Sequence, residues 1–395
     1  MRPDRAIVTL VVLFVLALAG CSAAPARPDD LSAGPPADLA AGNDLATPLD
    51  LARPPSPSDL GLPADLATPA TPPDLALPPN GLVWPPGQAF PSFGPIGALD
   101  VIDLTALPAD QQTLAVTLEG LVNRARPRIY CEDDGGEGKT FWLTKIAPTS
   151  TTTFTDPLAL VAKYQSELAG IVIYDDAMVD TLNLATVIAA QSRGIVASPA
   201  LAATLGHAPY NLPILADLRI NHFASKLDVY QYELDHWSAN ATHRLIVGLN
   251  PTIGAHLRDY AVATQAMMLW LDPRVTAEAT LLQKFLALLP PTSPYLGWWI
   301  DEPSGVHAAS TAGVPTFAAD WSSNLTVLGG TPRGSAVVAP APAPPPLENK
   351  IYVAIFMSDG DNVQENEHLI PVKWRDPNRG KVPIAWTTSP ALVDP

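Results

Sequence analysis

The sequence predicts an α/β protein in which an N-terminal α/β domain with a parallel sheet is followed by an incomplete (β/α) TIM-like barrel. Two observations lead to this prediction. Apolar runs of strand length alternate with segments of helical period from residue 99 onward, an alternation typical of parallel sheets. Three of the later runs end in acidic residues, and side chains that do chemistry in such folds gather beyond the carboxyl ends of the strands.

Composition sets the outer limits of this prediction. The chain has 395 residues, 47% of them hydrophobic and 16% charged, and its formal net charge is −16. At ~150 residues per domain, the length suits two or three domains with buried cores. The negative charge repels a phosphate backbone, so we expect no nucleic acid partner.

Residues 1–20 are predicted to form a lipoprotein signal peptide. Two arginines precede an apolar stretch at 7–19 that is too short to span a bilayer comfortably. The sequence at 18–21 then matches a lipobox, which predicts cleavage before Cys21 and lipidation of its thiol. Ser22 favours sorting to the outer membrane by the rule of enteric bacteria. We therefore expect a lipid-anchored protein of the bacterial cell envelope, at the outer membrane or cell surface.

Residues 21–90 are predicted to be a disordered tether. An Asp-Leu pair recurs at irregular spacing among Pro, Ala, Ser and Thr, and no repeat unit has an apolar face to bury. The proline content favours an extended polyproline II conformation of ~3 Å per residue. A repeated motif that binds peptidoglycan or a partner is the alternative interpretation.

The N-terminal α/β domain is predicted over residues 91–225. Apolar residues at helical spacing indicate helices around 114–122, 158–168 and 182–191. Strands are predicted at 128–131, 171–174 and 195–197. Cys131 follows the first of these strands, and we expect it to be a buried, inert thiol.

The barrel-like domain is predicted over residues 226–395. Its strands are expected at 244–249, 267–271, 296–300, 325–328, 351–357 and 382–387, with a helix at 277–289. Eight strands close such a barrel, so the missing ones would lie beyond Pro395.

Acidic residues follow three of these predicted strands. The run at 351–357 is expected to be buried on both faces, and it leads into Asp359 and Asp361, with Gly360 allowing a sharp turn. The run at 296–300 leads into Asp301 and Glu302. The run at 267–271 leads into Asp272.

Several segments resemble one known family. They are SDGDN at 358–362, the region of Trp374, RGKVPIAWTTSPALVDP at 379–395, LEGLVNRARPRIY at 118–130 and GIVIYDD at 170–176. Their ordered series is similar to the GxGYxYP family of glycoside hydrolases, from about residue 90 to the end. The name-giving motif is expected some tens of residues beyond SPAL, so the resemblance implies a truncated chain. It also implies a barrel-like C-terminal domain and a carbohydrate substrate.

Glycoside hydrolysis needs two carboxyl groups beside the scissile bond. We predict Glu302 as general acid and Asp359 as nucleophile or base, with Asp301 and Asp361 as supporting catalytic residues. For Asp301 and Glu302 the alternative is a helix cap, and for Asp359 and Asp361 it is a turn.

Substrate-binding residues are predicted beside this pair. They are Trp298, Trp299 and Trp386, which could stack on sugar rings, and the polar residues Asp272 and Asn362. Core packing is the alternative for each tryptophan.

Two other functions remain open. The DGDN oxygens at 359–362 suit Mg²⁺ or Ca²⁺, which would fit a metal-dependent polysaccharide deacetylase, but no histidines stand at zinc-site spacing, so we predict no metal and no cofactor. A non-catalytic glycan-binding surface lipoprotein is the other possibility.

The glycine-rich stretch at 135–140 resembles the end of a phosphate-binding loop, but Asp133 stands where that loop needs glycine. The stretch therefore predicts a flexible β–α turn.

Overall fold

A computed structural model describes residues 82–85, 87–332, 346 and 348–389. The predicted signal peptide, the lipidation site Cys21 and the tether up to residue 81 lie outside these residues. Within them, no helix is both long and apolar enough to cross a membrane. Lipid anchoring and localisation therefore stay predictions.

The described residues form an α/β fold whose named strands pair in parallel, which confirms the predicted fold class. The strands are β1 (Ala98–Asp103), β2 (Ile129–Glu132), β3 (Ser150–Phe154), β4 (Gly170–Ile173), β5 (Gly194–Ala197), β6 (Ile214–Asp217), β7 (Thr242–Gly248), β8 (Ala266–Leu269), β9 (Tyr295–Gly297), β10 (Thr316–Phe317), β11 (Phe356–Met357) and β12 (Ala385–Trp386). The α-helices are α1 (Ala109–Val122), α2 (Phe141–Ile146), α3 (Pro157–Tyr164), α4 (Thr181–Ser192), α5 (Pro199–Leu205), α6 (Lys226–His236), α7 (Arg258–Thr264), α8 (Thr276–Leu286), α9 (Glu302–Thr311), α10 (Leu325–Leu328) and α11 (Ile370–Trp374).

The strands are distributed over separate sheets. The orders are β2-β1-β3, β5-β4-β6, β10-β9-β7-β8 and β11-β12. The predicted N-terminal domain therefore contains two three-stranded sheets rather than one. The predicted barrel strands lie in the four-stranded and two-stranded sheets, and closure into a barrel stays a prediction.

Helices α1, α4 and α7 form the centre of the fold. Each is buried over most of its circumference, as expected for helices that are covered on all sides. Helices α1 and α7 pack very closely, because a Cβ atom added at Gly120 would lie 2.2 Å from the carbonyl oxygen of Asp259. The glycine is needed at this position for that approach.

Two arginines are buried among these helices. Arg258, at the start of α7, donates hydrogen bonds to Thr186 Oγ1 (2.9 Å) and Asn183 Oδ1 (3.1 Å) of α4 and to the carbonyl of Ile253 (2.8 Å). Arg124, just beyond α1, donates to carbonyls near the C-terminal ends of α4 and α7, including that of Val262 at 2.7 Å. A cation is favourable there because helix C-termini carry partial negative charge.

The segment predicted as a strand at 325–328 is the helix α10, so that prediction is wrong. A four-residue apolar run does not distinguish strand from buried helix by periodicity. The tertiary contacts decide for helix, because Thr326 donates through its backbone N–H (3.1 Å) and its hydroxyl (3.0 Å) to the buried carboxylate of Asp259. Asn324, in the left-handed conformation at φ 53°, precedes the helix.

The run at 351–357 is not a strand buried on both faces. Only Phe356–Met357 is strand, and Ile351 and Val353 are 92% and 79% exposed. The physical reason is that β11 pairs with β12, which supplies ladder hydrogen bonds but, within the described residues, no packed layer above or below.

The folded part begins before the predicted end of the tether at residue 90. Leu82 is buried in the same apolar cluster as Leu245. Trp84 lies under the guanidinium of Arg244 at 4.6 Å from the ring centroid, and Phe90 packs edge-on against Phe317 at 5.6 Å. These aromatic residues therefore belong to the core rather than to a spacer.

We predict that Gly120→Ala lowers the free energy of unfolding by ~1–3 kcal/mol or more, because the new methyl group overlaps the Asp259 carbonyl. Urea denaturation would measure the change. Gly97→Ala is the matched control, since its Cβ would meet only the Arg126 guanidinium at 3.9 Å. Equal stability of the two variants would contradict the close packing of α1 and α7.

Candidate active site

A cavity of about 490 Å³ opens at the carboxyl ends of β1 and β2. This is where parallel α/β folds place their ligands, because the loops that follow the strands converge at that edge. The residues that line it are Leu104, Thr105, Gln112, Asp133, Asp134, Gly135, Ala255, His256, Trp321, Gln364, Glu365, His368 and Leu369.

The cavity walls come from distant parts of the chain. Leu104 follows β1, Asp133 follows β2, and His256 lies in the turn before α7. Another part of the wall is a helical segment at 363–374, which contains a π-helical turn (Glu365–Leu369) that continues into α11. This helical segment carries three of the polar lining residues.

Asp133, Ser323 and His256 form a hydrogen-bonded group at the cavity wall. The hydroxyl of Ser323 donates to Asp133 Oδ2 and lies 3.0 Å from His256 Nδ1, while Asp133 Oδ2 lies 3.8 Å from the same nitrogen. Burial lowers the pKa of His256, and the positive charge of His368 lowers it as well. The negative charge of Asp133 raises this pKa, but the net shift is downward. We therefore expect His256 to be neutral at neutral pH.

Glu367 fixes the helical segment to the rest of the wall. Its carboxylate accepts the backbone N–H of Ser323 at 3.1 and 3.2 Å, and its backbone carbonyl accepts from Trp142 Nε1 at 2.9 Å. Burial raises the pKa of Glu367 to about 8, because a charged carboxylate is costly in a site with little water.

His368 is held between two acceptors. Its Nδ1 lies 3.0 Å from the carboxylate of Glu137, and its Nε2 lies 3.0 Å from the carbonyl oxygen of Trp321. Both ring nitrogens must carry protons to satisfy this geometry, so the ring is an imidazolium. Burial lowers the pKa of His368, but the hydrogen bond to Glu137 and the charge of Glu367 outweigh it and raise the pKa to about 9.

Glu365 is the unpaired acid of the cavity. Its Oε2 atom is buried and has no hydrogen-bond partner among the described residues. Burial raises the pKa of Glu365, and the negative charge of Asp359 raises it further. Both effects make the proton harder to remove than from an exposed glutamate, and a general acid must hold its proton until the bond breaks.

The predicted residues Asp272, Asp301 and Glu302 lie together, away from the lining of this cavity. Arg274 binds Asp272 at 2.8 Å and Asp301 at 3.3 Å, and its hydrogen bonds lower the pKa of Asp272 to about 2. Asp301 caps α9 by accepting the backbone N–H of Ser304 at 3.2 Å. Glu302 is the exposed first residue of that helix. The helix-cap alternative thus describes the placement of Asp301.

The predicted tryptophans occupy different environments. Trp299 is 3% exposed and stacks on Tyr295 with 3.6 Å between ring centroids, so its placement is that of a core residue. Trp298 is half-buried. Trp386, on β12, meets Trp374 edge-on at 5.0 Å.

Asp359, Asp361 and Asn362 lie in the turn that joins β11 to the helical segment. Asp359 has a positive φ of 64°, its Oδ2 accepts from the Ser358 hydroxyl at 2.9 Å, and its carbonyl accepts the backbone N–H of Asn362 at 3.0 Å. The structure therefore places Asp359 beside the cavity, where its charge acts on Glu365, and it does not place Glu302 there.

Sequence reasoning missed most of the cavity. Asp133 lies two residues after the strand predicted at 128–131, and this place beyond a strand end is the sequence signal that points to it. Glu137 and His368 are 231 positions apart, and no spacing in the sequence relates them. Gly135 lets this loop approach, since a Cβ there would lie 1.9 Å from His368 Nδ1.

Cys131 is free and buried behind this loop, as predicted. Burial and the neighbouring Glu119 raise the pKa of its thiol, which makes the sulfur a poor nucleophile. Across the described residues, no group of three or more His, Cys, Asp or Glu side chains is arranged to hold a metal ion.

Four sequence models of one family match the chain in order. They are the GxGYxYP first domain at residues 98–166, the second domain at 168–240, the third domain at 243–330 and the "GxGYxYP putative glycoside hydrolase C-terminal domain" at 349–395. The chain belongs to the GxGYxYP family. The resemblance read from the sequence motifs is thereby confirmed. The cavity of this chain is formed by residues of the first, third and C-terminal family domains.

One solved structure is similar, a crystal structure described as a putative hydrolase from Bacteroides thetaiotaomicron VPI-5482. The TM-score is 0.64 and the sequence identity 23%, over 80% of this chain and 62% of that one. At this identity the likeness supports the fold. With 62% of the solved chain covered, this chain spans less than two thirds of that chain's length. No curated protein matches the sequence.

We predict that Glu137→Gln lowers the pKa of His368, because it removes the carboxylate that holds the imidazolium. The folded pKa of about 9 lies above the ordinary value of 6.5, so the folded state binds this proton more tightly than the unfolded chain. Its stabilisation is complete below pH 6.5 and is lost as the pH rises to about 9.

Thermal denaturation of the wild type and the variant between pH 6 and 10 measures this effect. The stability difference between them should shrink as the pH approaches 9. His368 can also be titrated directly by NMR. A difference that stays constant over this range would contradict the ion pair. Asp235→Asn, at an exposed site on α6, is the control for loss of a surface carboxylate.

Proposed function

We propose that the protein is a glycoside hydrolase whose active site is the cavity at the carboxyl ends of β1 and β2. Membership of a family whose C-terminal domain is described as a glycoside hydrolase domain supports the reaction class. The observation that carries the proposal is the buried, unpaired oxygen of Glu365 in the same cavity as Asp133 and Asp134. The reaction requires two carboxyl groups, one that gives a proton to the leaving oxygen and one that attacks or activates water.

In the proposed mechanism, Glu365 protonates the leaving oxygen of the glycosidic bond as general acid. Asp133 attacks the anomeric carbon or activates a water molecule, and the hydroxyl of Ser323 orients its carboxylate. Asp359 supports the acid by raising the pKa of Glu365. The proposal gives Asp359 a supporting role instead of the predicted role of nucleophile or base, and it replaces Glu302 with Glu365 as the acid.

The setting of the reaction belongs to the same proposal. A lipid anchor at Cys21, followed by a proline-rich tether, would hold the enzyme at the cell envelope, with its cavity facing carbohydrate outside the membrane. The carbohydrate substrate follows from the family's reaction class.

The test is a comparison of Glu365→Gln with the wild type in the release of reducing ends from a panel of polysaccharides and aryl glycosides. Loss of a general acid should lower kcat by about 10²–10⁴-fold. Glu348→Gln is the matched control, because Glu348 is exposed and pairs with Lys350. We expect it to retain full activity.

Glu302→Gln separates the two possible acids. Full turnover in Glu365→Gln together with loss of turnover in Glu302→Gln would overturn the proposed site in favour of the sequence-predicted pair. A wild type that binds carbohydrate but releases no reducing ends would overturn the hydrolase proposal in favour of a glycan-binding lipoprotein.

A further inference from the structure

We propose that the cavity binds an uncharged or amino sugar stacked on Trp321 and rejects anionic sugars such as uronates. This inference rests on the proposed function in taking the cavity as the carbohydrate site. It adds the residue that recognises the sugar ring and the charge class of the substrate.

Trp321 is the aromatic surface available at the cavity. Its side chain lines the cavity and the residue is 61% exposed, although a tryptophan normally buries most of its apolar area. The indole lies nearly parallel to the imidazole of His256, with an interplanar angle of 19° and 6.1 Å between the centroids. An exposed indole at a cavity presents a flat apolar face, which suits the C–H face of a sugar ring.

The backbone of Trp321 is held from both sides by the helical segment. Its N–H donates to Gln364 Oε1 at 3.0 Å, and its carbonyl accepts from His368 Nε2 at 3.0 Å. Both partners are themselves cavity residues. A binding residue whose main chain is already fixed loses less conformational freedom when a ligand arrives, which favours binding.

The charge of the cavity selects the ligand. Asp133 and Asp134 line it, and its lining contains no lysine or arginine. The one cation, His368, has its charge matched by Glu137 at 3.0 Å. A uronate or sulfated sugar would therefore meet repulsion that no lysine or arginine of the lining compensates, whereas a hydroxyl or ammonium group would find acceptors.

Trp374, an exposed tryptophan of the helical segment, differs from Trp321 in its ring contacts. Trp374 lies beneath the guanidinium of Arg379, at 4.0 Å from the ring centroid, and against Trp386. One face of the Trp374 indole is therefore covered by a cation, and Trp374 serves as the matched control.

The experiment measures binding by calorimetry, with the full chain carrying Glu365→Gln to prevent turnover. The probes are tetrasaccharides of glucose, glucosamine and galacturonic acid. We expect the glucose or glucosamine probe to bind at least tenfold more tightly than the galacturonate probe. Adding Trp321→Ala should weaken that binding at least tenfold, while adding Trp374→Ala should leave it unchanged.

Asp134→Asn tests the charge argument separately. It should reduce the difference in affinity between the galacturonate probe and the other two probes. Three results would overturn the inference. The galacturonate probe could bind as tightly as the others, neither of the other probes could bind, or Trp321→Ala could leave binding unchanged. The outcome is distinct from that of the proposed function: sugars that bind through Trp321 but are not cleaved by the wild type would refute hydrolysis alone.

Discussion

The architecture depends on burying positive charge where helix ends converge. Arg124 and Arg258 are both removed from solvent, and burial lowers the pKa of each guanidinium, to about 10 and about 9 respectively. Both remain cations at neutral pH, and backbone carbonyls and polar side chains of the central helices compensate the lost hydration. Removing either side chain would take hydrogen-bond donors away from buried acceptors on more than one helix, so these arginines fix the three helices relative to one another.

The central helices in turn fix the sheet edges that form the cavity. Asp259 on α7 accepts from Thr326 of α10, and Asn324 at the start of α10 pairs with Cys131 of β2. The Asn324 amide donates to the Cys131 carbonyl and accepts its N–H, both at 2.8 Å, as a neighbouring strand would. The loop after β2 is thereby held beside Ser323 and the helical segment. The cavity is consequently a junction of the family's domains rather than a feature of any one of them.

The sequence was informative where local pattern determines structure. The apolar runs at 244–249 and 267–271 correspond to β7 and β8, and Cys131 is buried as its strand position indicated. Pattern failed at 325–328, where hydrogen bonds to Asp259 decide for helix, and at 351–357, where exposure depends on which layers cover a strand. Neither the hydrogen bonds to Asp259 nor the layers that cover a strand are determined by residues adjacent in the sequence.

The site was harder to predict for the same reason. The rule that carboxylates follow strand ends was sound, but several strands satisfy it, and only the fold distinguishes Asp133 from Asp272. The Arg274 side chain, two positions from Asp272, is enough to make that carboxylate part of a surface ion pair. The pairing of Glu137 with His368 has no local signature and appears only when the two ends of the fold meet.

This long separation has a consequence for biosynthesis. Chains elongate at about 5–20 residues per second, so the 231 positions between Glu137 and His368 correspond to roughly 10–50 s of translation. Throughout that interval the loop after β2 lacks the imidazolium of His368. Ser323, once made, waits a further 44 positions for the Glu367 carboxylate that accepts its N–H. A ribosome-bound chain can therefore build its helical centre early, whereas the pocket exists only once the residues up to Leu369 have been made.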